Sequence, residues 1–202
     1  MNQHAMNQHL TLHQASPWVS RFAALVPSGE VLDLACGSGR HARLMAKLGH
    51  PVLALDRDAD ALANTAGQGI SALQFDLENA AAEQPAWPFE PDRFAGIIVT
   101  NYLHRPLFPH LFDSLAPGGV LIYETFASGN GQFGKPSNPD FLLAPAELLH
   151  LAQAQAGRQL HVIAFEDGFV EHPKPAMVQR ICVLKPAGHI APESVRLDLP
   201  AD

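Results

Sequence analysis

The chain has 202 residues, 47% of them apolar and 16% charged, with a formal charge of −7. That is one domain's length, enough to bury about 70% of the surface an unfolded chain exposes, and too apolar for a disordered polymer. The acidic balance and the lack of a Lys/Arg run exclude a typical nucleic-acid binder, which meets phosphates with a basic face, and no apolar run approaches the roughly 20 residues that span a bilayer.

The first residues, Met1-Asn2-Gln3-His4 and the near-copy Met6-Asn7-Gln8-His9, read as a frayed tail over residues 1–15. His9 and His13 are four apart, yet in such a tail they read as solvated side chains and not as metal ligands. The tail lacks the basic start and apolar stretch of a secretory signal, so the chain is expected in the cytoplasm, with Cys36 and Cys182 as reduced thiols. One domain is expected over residues 16–190, followed by a C-terminal tail over 191–202. It opens at Ser16, an N-cap followed by Pro17 at the first helical position, which predicts a short helix through Leu25 with Val19, Phe22, Ala23 and Val26 on one face.

An alternation follows. Strands are expected at Glu30–Leu34, Val52–Asp56, Ile70–Asp76 and Phe94–Thr100, with helices at Gly39–Leu48 and Ala59–Ala66 between them. Runs such as Val52-Leu53-Ala54-Leu55 have no solvated face, as parallel strands covered on both sides require. Phe94–Thr100, the most apolar, is expected at the centre. A Pro-, Ala- and Glu-rich loop spans Glu78 to Pro91. A helix at Leu107–Leu115 is expected to stop at Pro117-Gly118-Gly119, before a strand at Val120–Thr125. An irregular stretch from Ala127 to Ala144, a helix at Pro145–Ala156 and strands at Leu160–Glu166 and Met177–Leu184 complete the chain. The short connection between the last two strands, with Gly168 and two prolines, suits an antiparallel hairpin. The fold class is therefore α/β: a Rossmann-like, doubly wound sheet, mostly parallel with an antiparallel last strand.

The chemistry concentrates in Val31-Leu32-Asp33-Leu34-Ala35-Cys36-Gly37-Ser38-Gly39-Arg40. Gly37 and Gly39 fall at a strand-to-helix turn, where glycine lets the backbone approach a ligand, outside the carboxyl ends of the strands where open α/β sheets bind ligands. Asp56 ends the next strand, where a carboxylate can accept hydrogen bonds from both hydroxyls of a ribose. Asp76 ends the one after it. With Asp33 these acids mark a path for an adenosine group.

This segment resembles motif I of class I S-adenosylmethionine-dependent methyltransferases. Asp56 matches the family's ribose-binding acid, Asp76 the acid that meets the adenine amino group, and Leu115-Ala116-Pro117-Gly118-Gly119 the turn before the fifth strand. The resemblance covers about Glu30 to Thr125. It implies S-adenosylmethionine as cofactor and a binding set of Asp33, Ala35, Cys36, Gly37, Gly39, Asp56, Arg57, Asp76, Leu77 and Asn101. Cys36 itself reads as a small packing residue. Asn101-Tyr102-Leu103-His104-Arg105-Pro106-Leu107-Phe108, with Gly129–Leu143, resembles an uncharacterised bacterial branch related to tellurite-resistance methyltransferases. The family's Asn/Asp-Pro-Pro-Tyr signature of amino-group methylation is absent.

Tyr102, His104 and Arg105 follow the fourth strand, where the methyl acceptor is expected, and form the candidate catalytic group. His104 is the candidate base, since an ordinary histidine titrates near pH 6.5, and Tyr102 would orient the acceptor. Arg105 and Lys135 would hold a carboxylate or phosphate on a small acidic acceptor. Trp18 reads as core, with closure over the cofactor as the alternative. The chain is thus expected to be a methyltransferase acting on a small molecule as a monomer or homodimer, without metal, membrane or nucleic acid. Two rivals stay open. Gly37-Ser38-Gly39-Arg40-His41-Ala42 also satisfies the G-x-G-x-x-G/A pattern of nicotinamide oxidoreductases, although an acid at Asp33 would repel a pyrophosphate and welcome an ammonium. A catalytically silent cofactor-binding protein is the other.

Overall fold

Apolar runs without a polar face become the middle of a seven-stranded sheet. The computed structural model describes residues 14–65, 67–78, 87–154 and 160–188. Its strands are β1 (Val31–Leu34), β2 (Val52–Asp56), β3 (Ile70–Gln74), β4 (Phe94–Thr100), β5 (Leu115–Phe126), β6 (His161–Val170) and β7 (Ala176–Leu184). Across the sheet they lie in the order β3-β2-β1-β4-β5-β7-β6. Strands β1 to β5 pair in parallel, and β7 runs antiparallel to both of its neighbours. This is the expected fold class, and β4 stands at the centre.

Among the described residues, five α-helices flank the sheet: α1 (Pro17–Phe22), α2 (Arg40–Lys47), α3 (Ala59–Ala63), α4 (Phe108–Ser114) and α5 (Glu147–Gln153). Alternate strand residues feed two cores. Val31, Val52, Ile98 and Ile122 pack with Trp18, Phe22 and Met45 of α1 and α2. Leu32, Leu53, Ile97 and Leu121 pack with Phe108, Phe112 and Leu148 of α4 and α5. Because both faces are covered, the period of two leaves no polar alternation in the sequence. Each fully buried Leu, Ile or Phe stabilises the fold by roughly 1.5–3 kcal/mol. Trp18, 2% exposed, is core.

Helix α1 starts as its sequence requires, with Ser16 Oγ accepting the Trp18 amide at 3.1 Å and Pro17 at the first position. A second contact fixes it. His41 Nε2 accepts the Ser16 amide at 3.1 Å, leaving the ring proton on Nδ1, 3.4 Å from Thr100 Oγ1. Burial, with Arg40 next door, lowers the His41 pKa to about 3, so it stays a neutral bridge between α1, α2 and β4.

Three expectations are corrected. Pro117-Gly118-Gly119 does not end a helix before β5 but forms a bulge inside it, where the β4–β5 register jumps from Phe94↔Leu115 to Gly96↔Val120. A Cβ on Gly119 would stand 2.8 Å from Ala116 O and 2.9 Å from Phe94 O, so only glycine lets the strand close up. Gly168 belongs to β6, opposite Val178, and the hairpin turn is confined to residues 171–175. The first helix becomes a 3-10 turn at Ala23–Leu25. Parts of other expectations lie outside the described residues: the tails, with His9 and His13, the helix ends at Ala66 and Ala156, and residues 79–86 of the loop. Among the described residues, no helix is long and apolar enough to cross a membrane.

Candidate active site

The turn between β1 and α2 is built from left-handed backbone. Ala35, Gly37 and Gly39 have φ of 52°, 53° and 73°. Ala35 bears the smallest side chain that pays this steric cost. Gly39 is forced by crowding, since a Cβ there would meet Thr65 Cγ2 at 2.3 Å. Gly37 differs: a Cβ there would meet nothing within 4 Å, so this turn presents bare backbone to open space. Thr65 Oγ1 donates to Gly37 O at 3.2 Å and Arg43 Nη1 to Ser38 O at 2.6 Å, bracing the turn from behind.

Two acids fix the turn. Asp56 Oδ2 accepts the Gly37 amide at 2.8 Å, and its Oδ1 accepts the Asp58 amide at 3.0 Å. A carboxylate has about four acceptor positions, so these two bonds orient it and leave lone pairs free. Asp33 is 1% exposed, and its Oδ2 accepts the Ala42 amide at 2.8 Å, tying β1 to the first turn of α2. Burial raises its pKa to about 7, opposed chiefly by that amide and by Arg40. The structure thus places Asp33 under the turn and not on a cleft wall. Cys36 also packs there, its Sγ donating to Gly37 O at 3.4 Å, and burial beside Asp33 and Asp56 pushes the thiol up to about 12. Such a thiol is no nucleophile.

Among the described residues, two clefts open at the carboxyl edge of the sheet, on either side of the point where strand order reverses between β1 and β4. The smaller, about 150 Å³, lies over β1 to β3 and is lined by Ala35, Asp56, Arg57, Asp76, Leu77 and Tyr102, with Leu55, Phe75 and Glu78. Asp76 Oδ1 accepts the Glu78 amide at 2.9 Å, holding the acid at the strand end. Six expected site residues therefore meet here, one of them unexpectedly. Tyr102 was grouped with His104 and Arg105. The structure separates it from them, because Asn101, at φ 56°, reverses the chain after β4, and Tyr123 Oη donates to Tyr102 O at 2.6 Å. Burial and the Glu78 carboxylate beside it hold the Tyr102 phenol above its ordinary range, so it is a neutral donor.

Arg105 is not among the residues lining either cleft. Its Nε and Nη2 donate to Glu147 Oε1 and Oε2 at 2.6 and 3.0 Å, and further bonds reach Asp140 O and Leu142 O at 2.8 and 2.9 Å. Glu147 Oε2 also accepts the Ala144 amide at 2.7 Å. Arg105 is thus a clasp on residues 127–144, committed to protein partners. Asn130, 2% exposed, is the second clasp, donating to Pro136 O at 3.0 Å and accepting the Met177 amide at 3.1 Å. His104 is partly buried and, like Lys135 of that loop, is not among the residues lining either cleft.

The larger cleft, about 250 Å³, lies over β5, β6 and β7. Asn101 lines it with Arg40, Glu124, Phe126, Lys174 and Arg180. Sequence reading missed all of these but Asn101, since they come from α2, two strands and a hairpin turn. The signal available was Arg40, directly after the second glycine of the turn.

Residues 31–119 match the model of a methyltransferase domain. The chain is 40% identical over 99 residues to protein-L-isoaspartate O-methyltransferase of Chlorobaculum tepidum, covering 48% of this chain and 45% of that protein. It is 30% identical over 176 residues to trans-aconitate 2-methyltransferase of Methylobacterium radiotolerans, covering 83% and 58%. The chain thus spans about half the length of the curated relatives it matches. The crystal structure of TehB from Haemophilus influenzae superposes with a TM-score of 0.65 at 18% identity, over 85% of this chain and 62% of that one. Residues 31–119 are thus similar to a methyltransferase domain, and the sheet has the fold of TehB.

Proposed function

We propose that the chain, over residues 16–190, transfers a methyl group from S-adenosylmethionine to a small-molecule acceptor, with the cofactor's adenosine end in the smaller cleft and the acceptor in the larger. The observation that carries this is the bare backbone at Gly37, open where a Cβ would stand, beside a carboxylate already oriented by two amides. Those residues fit the cofactor. Asp56 would accept the ribose hydroxyls, Asp76 and Leu77 would meet the adenine, and Ala35, Arg57 and Tyr102 would wall the pocket. Gly37 and Gly39 would pass under the methionine end, with Asn101 at the switch point between the clefts.

When bound, S-adenosylmethionine supplies an electrophilic methyl group on a sulfonium. The protein's work is then positional: the turn fixes one reactant, the larger cleft orients the other, and both exclude water. The relatives named for trans-aconitate and for isoaspartate act on carboxylic acids, which favours an acidic acceptor for this chain. We further place the protein in the cytoplasm, as a monomer or homodimer without nucleic-acid partners. Calorimetry tests the central reading. S-adenosylmethionine and S-adenosylhomocysteine should bind, and NAD and NADP should not. Micromolar NAD binding without any for the sulfonium compound would replace this function with the oxidoreductase one.

A further inference from the structure

The larger cleft gathers basic side chains. Among the described residues its lining includes Arg40, Lys174 and Arg180 against a single carboxylate, Glu124, which leaves an excess of cations inside a protein whose formal charge is −7. The one carboxylate is also shared. Glu124 Oε2 lies 3.3 Å from Arg180 Nε, and Glu124 is the foremost charge acting on Arg40. Arg180 Nε is buried and has no partner with hydrogen-bond geometry among the described residues, although Glu124 and, at 3.7 Å, Glu166 are near. Glu166 is half exposed, also faces Arg21 at 3.8 Å, and does not line the cleft. Burial lowers the Arg40 pKa, so its cation stands in a poorly hydrated place, where a counter-charge binds more strongly than at an open surface.

The walls add a second requirement. Arg180 lies over the Trp18 ring at 5.7 Å and Lys174 over the Phe126 ring at 5.9 Å, so the cations are held along aromatic faces. Val178 and Ala176 continue the apolar side. A bare inorganic anion would use the charges and leave the apolar wall wet. A large aromatic acceptor would fill about 250 Å³ but leave the guanidinium groups unpaired.

Resting on the methyltransferase reading above, we propose that the larger cleft is a binding site for a small organic di- or tricarboxylate. One carboxylate pairs with Arg40 and Arg180, a second meets Lys174, and the carbon skeleton lies on Phe126 and Val178. Guanidinium groups suit this task because their planar fork matches a carboxylate. Glu124 sets the spacing of the two arginines.

Calorimetric titration with tricarballylate tests this, with and without saturating S-adenosylhomocysteine. Binding is expected in both, weakening as salt rises. Arg180→Gln and Lys174→Gln should each weaken it at least about tenfold, with S-adenosylhomocysteine affinity unchanged. Lys174 lies on the exposed hairpin turn, so its variant folds even if the arginine variant does not. The trimethyl ester of tricarballylate, which has the same skeleton without charge, should not bind. Equal binding of acid and ester, tighter binding of inorganic phosphate than of tricarballylate, or full affinity in Lys174→Gln would overturn the proposal. A failure of S-adenosylhomocysteine to bind would strike the cofactor reading instead, and the titration without it would still decide this one.

Discussion

The two clefts sit side by side on one sheet edge and are built in opposite ways. The smaller is built at strand ends: Ala35 of the left-handed turn, and acids whose carboxylates accept backbone amides. The larger is made of long charged side chains from α2, β5, β7 and a hairpin turn. The first depends on strand ends and a turn that the fold itself sets. The second is held by ion pairs and ring contacts that a few substitutions would alter, which is how a shared fold can serve different acceptors.

The largest effect should come from crowding the turn. Gly37→Val places methyl groups in open space above the turn and strains a residue at φ 53°. Affinity for S-adenosylhomocysteine should fall by about 100-fold or more, about 2.8 kcal/mol, while the protein still melts cooperatively. Gly39→Val is a different experiment, because its Cβ would strike Thr65, so stability falls first. Wild-type affinity in Gly37→Val, measured by calorimetry, would move the cofactor elsewhere.

Asp56→Ala should come next. Hydrogen bonds to a charged acceptor are worth roughly 1.5–3 kcal/mol, so losing the ribose contacts weakens cofactor binding at least about tenfold. The Gly37 amide also loses its partner at 2.8 Å. Tricarballylate binding should not change. A parallel loss at the larger cleft would mean that the two sites are not separate.

How much of this was legible depended on how local the determinants are. Asp33, Asp56 and Asp76 announce themselves because each lies within a residue or two of a strand end, and Gly37 and Gly39 because they fall in the short turn between β1 and α2, where the topology alone decides the surroundings. Tyr102 was misplaced because one left-handed residue, Asn101, redirects the chain after β4, and nothing in an Asn-Tyr pair states that angle. Arg105 was read as an anion binder because its partner, Glu147, lies 42 residues away. Arg180 and Lys174 were invisible for the same reason: their meeting with Arg40 exists only once β7 returns beside β5.

Asp33 offers a pH test of the turn. Its folded pKa, about 7, stands above the value of about 3.9 expected in an unfolded chain. Between these values the folded state holds a proton that the unfolded state has lost, so Asp33 favours folding below pH 4 and loses that contribution as pH rises toward 7. Asp33→Asn lacks this loss. Its melting temperature should therefore climb relative to wild type by several degrees between pH 4 and 7. A constant difference across that range would show that Asp33 ionises normally.

Arg105→Gln should act on stability and not on either ligand. It removes an ion pair that is 41% exposed on the arginine side and two bonds to backbone carbonyls. With solvent screening the sum is about 1 kcal/mol, a drop of about 2–4 °C in melting temperature for a chain of this size. Cofactor and tricarballylate affinities should stay within twofold. A selective loss of tricarballylate binding would return Arg105 to the acceptor site.

His104→Gln should do least, and its silence is informative. His104 precedes the short turn at Arg105–Leu107, and it is not among the residues lining either cleft. A general base has to reach the proton it removes, within about 3 Å or through one water. A carboxylate acceptor carries no such proton at neutral pH, so the cationic cleft and the idle histidine are two sides of one reading. Once a carboxylate substrate is in hand, His104→Gln should keep its turnover within about twofold and leave the pH profile between 6 and 8 unchanged. A base would be worth about 10²–10⁴ in rate. A loss of that size, confined to the acidic limb, would mean that the acceptor arrives protonated, and that the loop carrying His104 swings over the larger cleft during turnover.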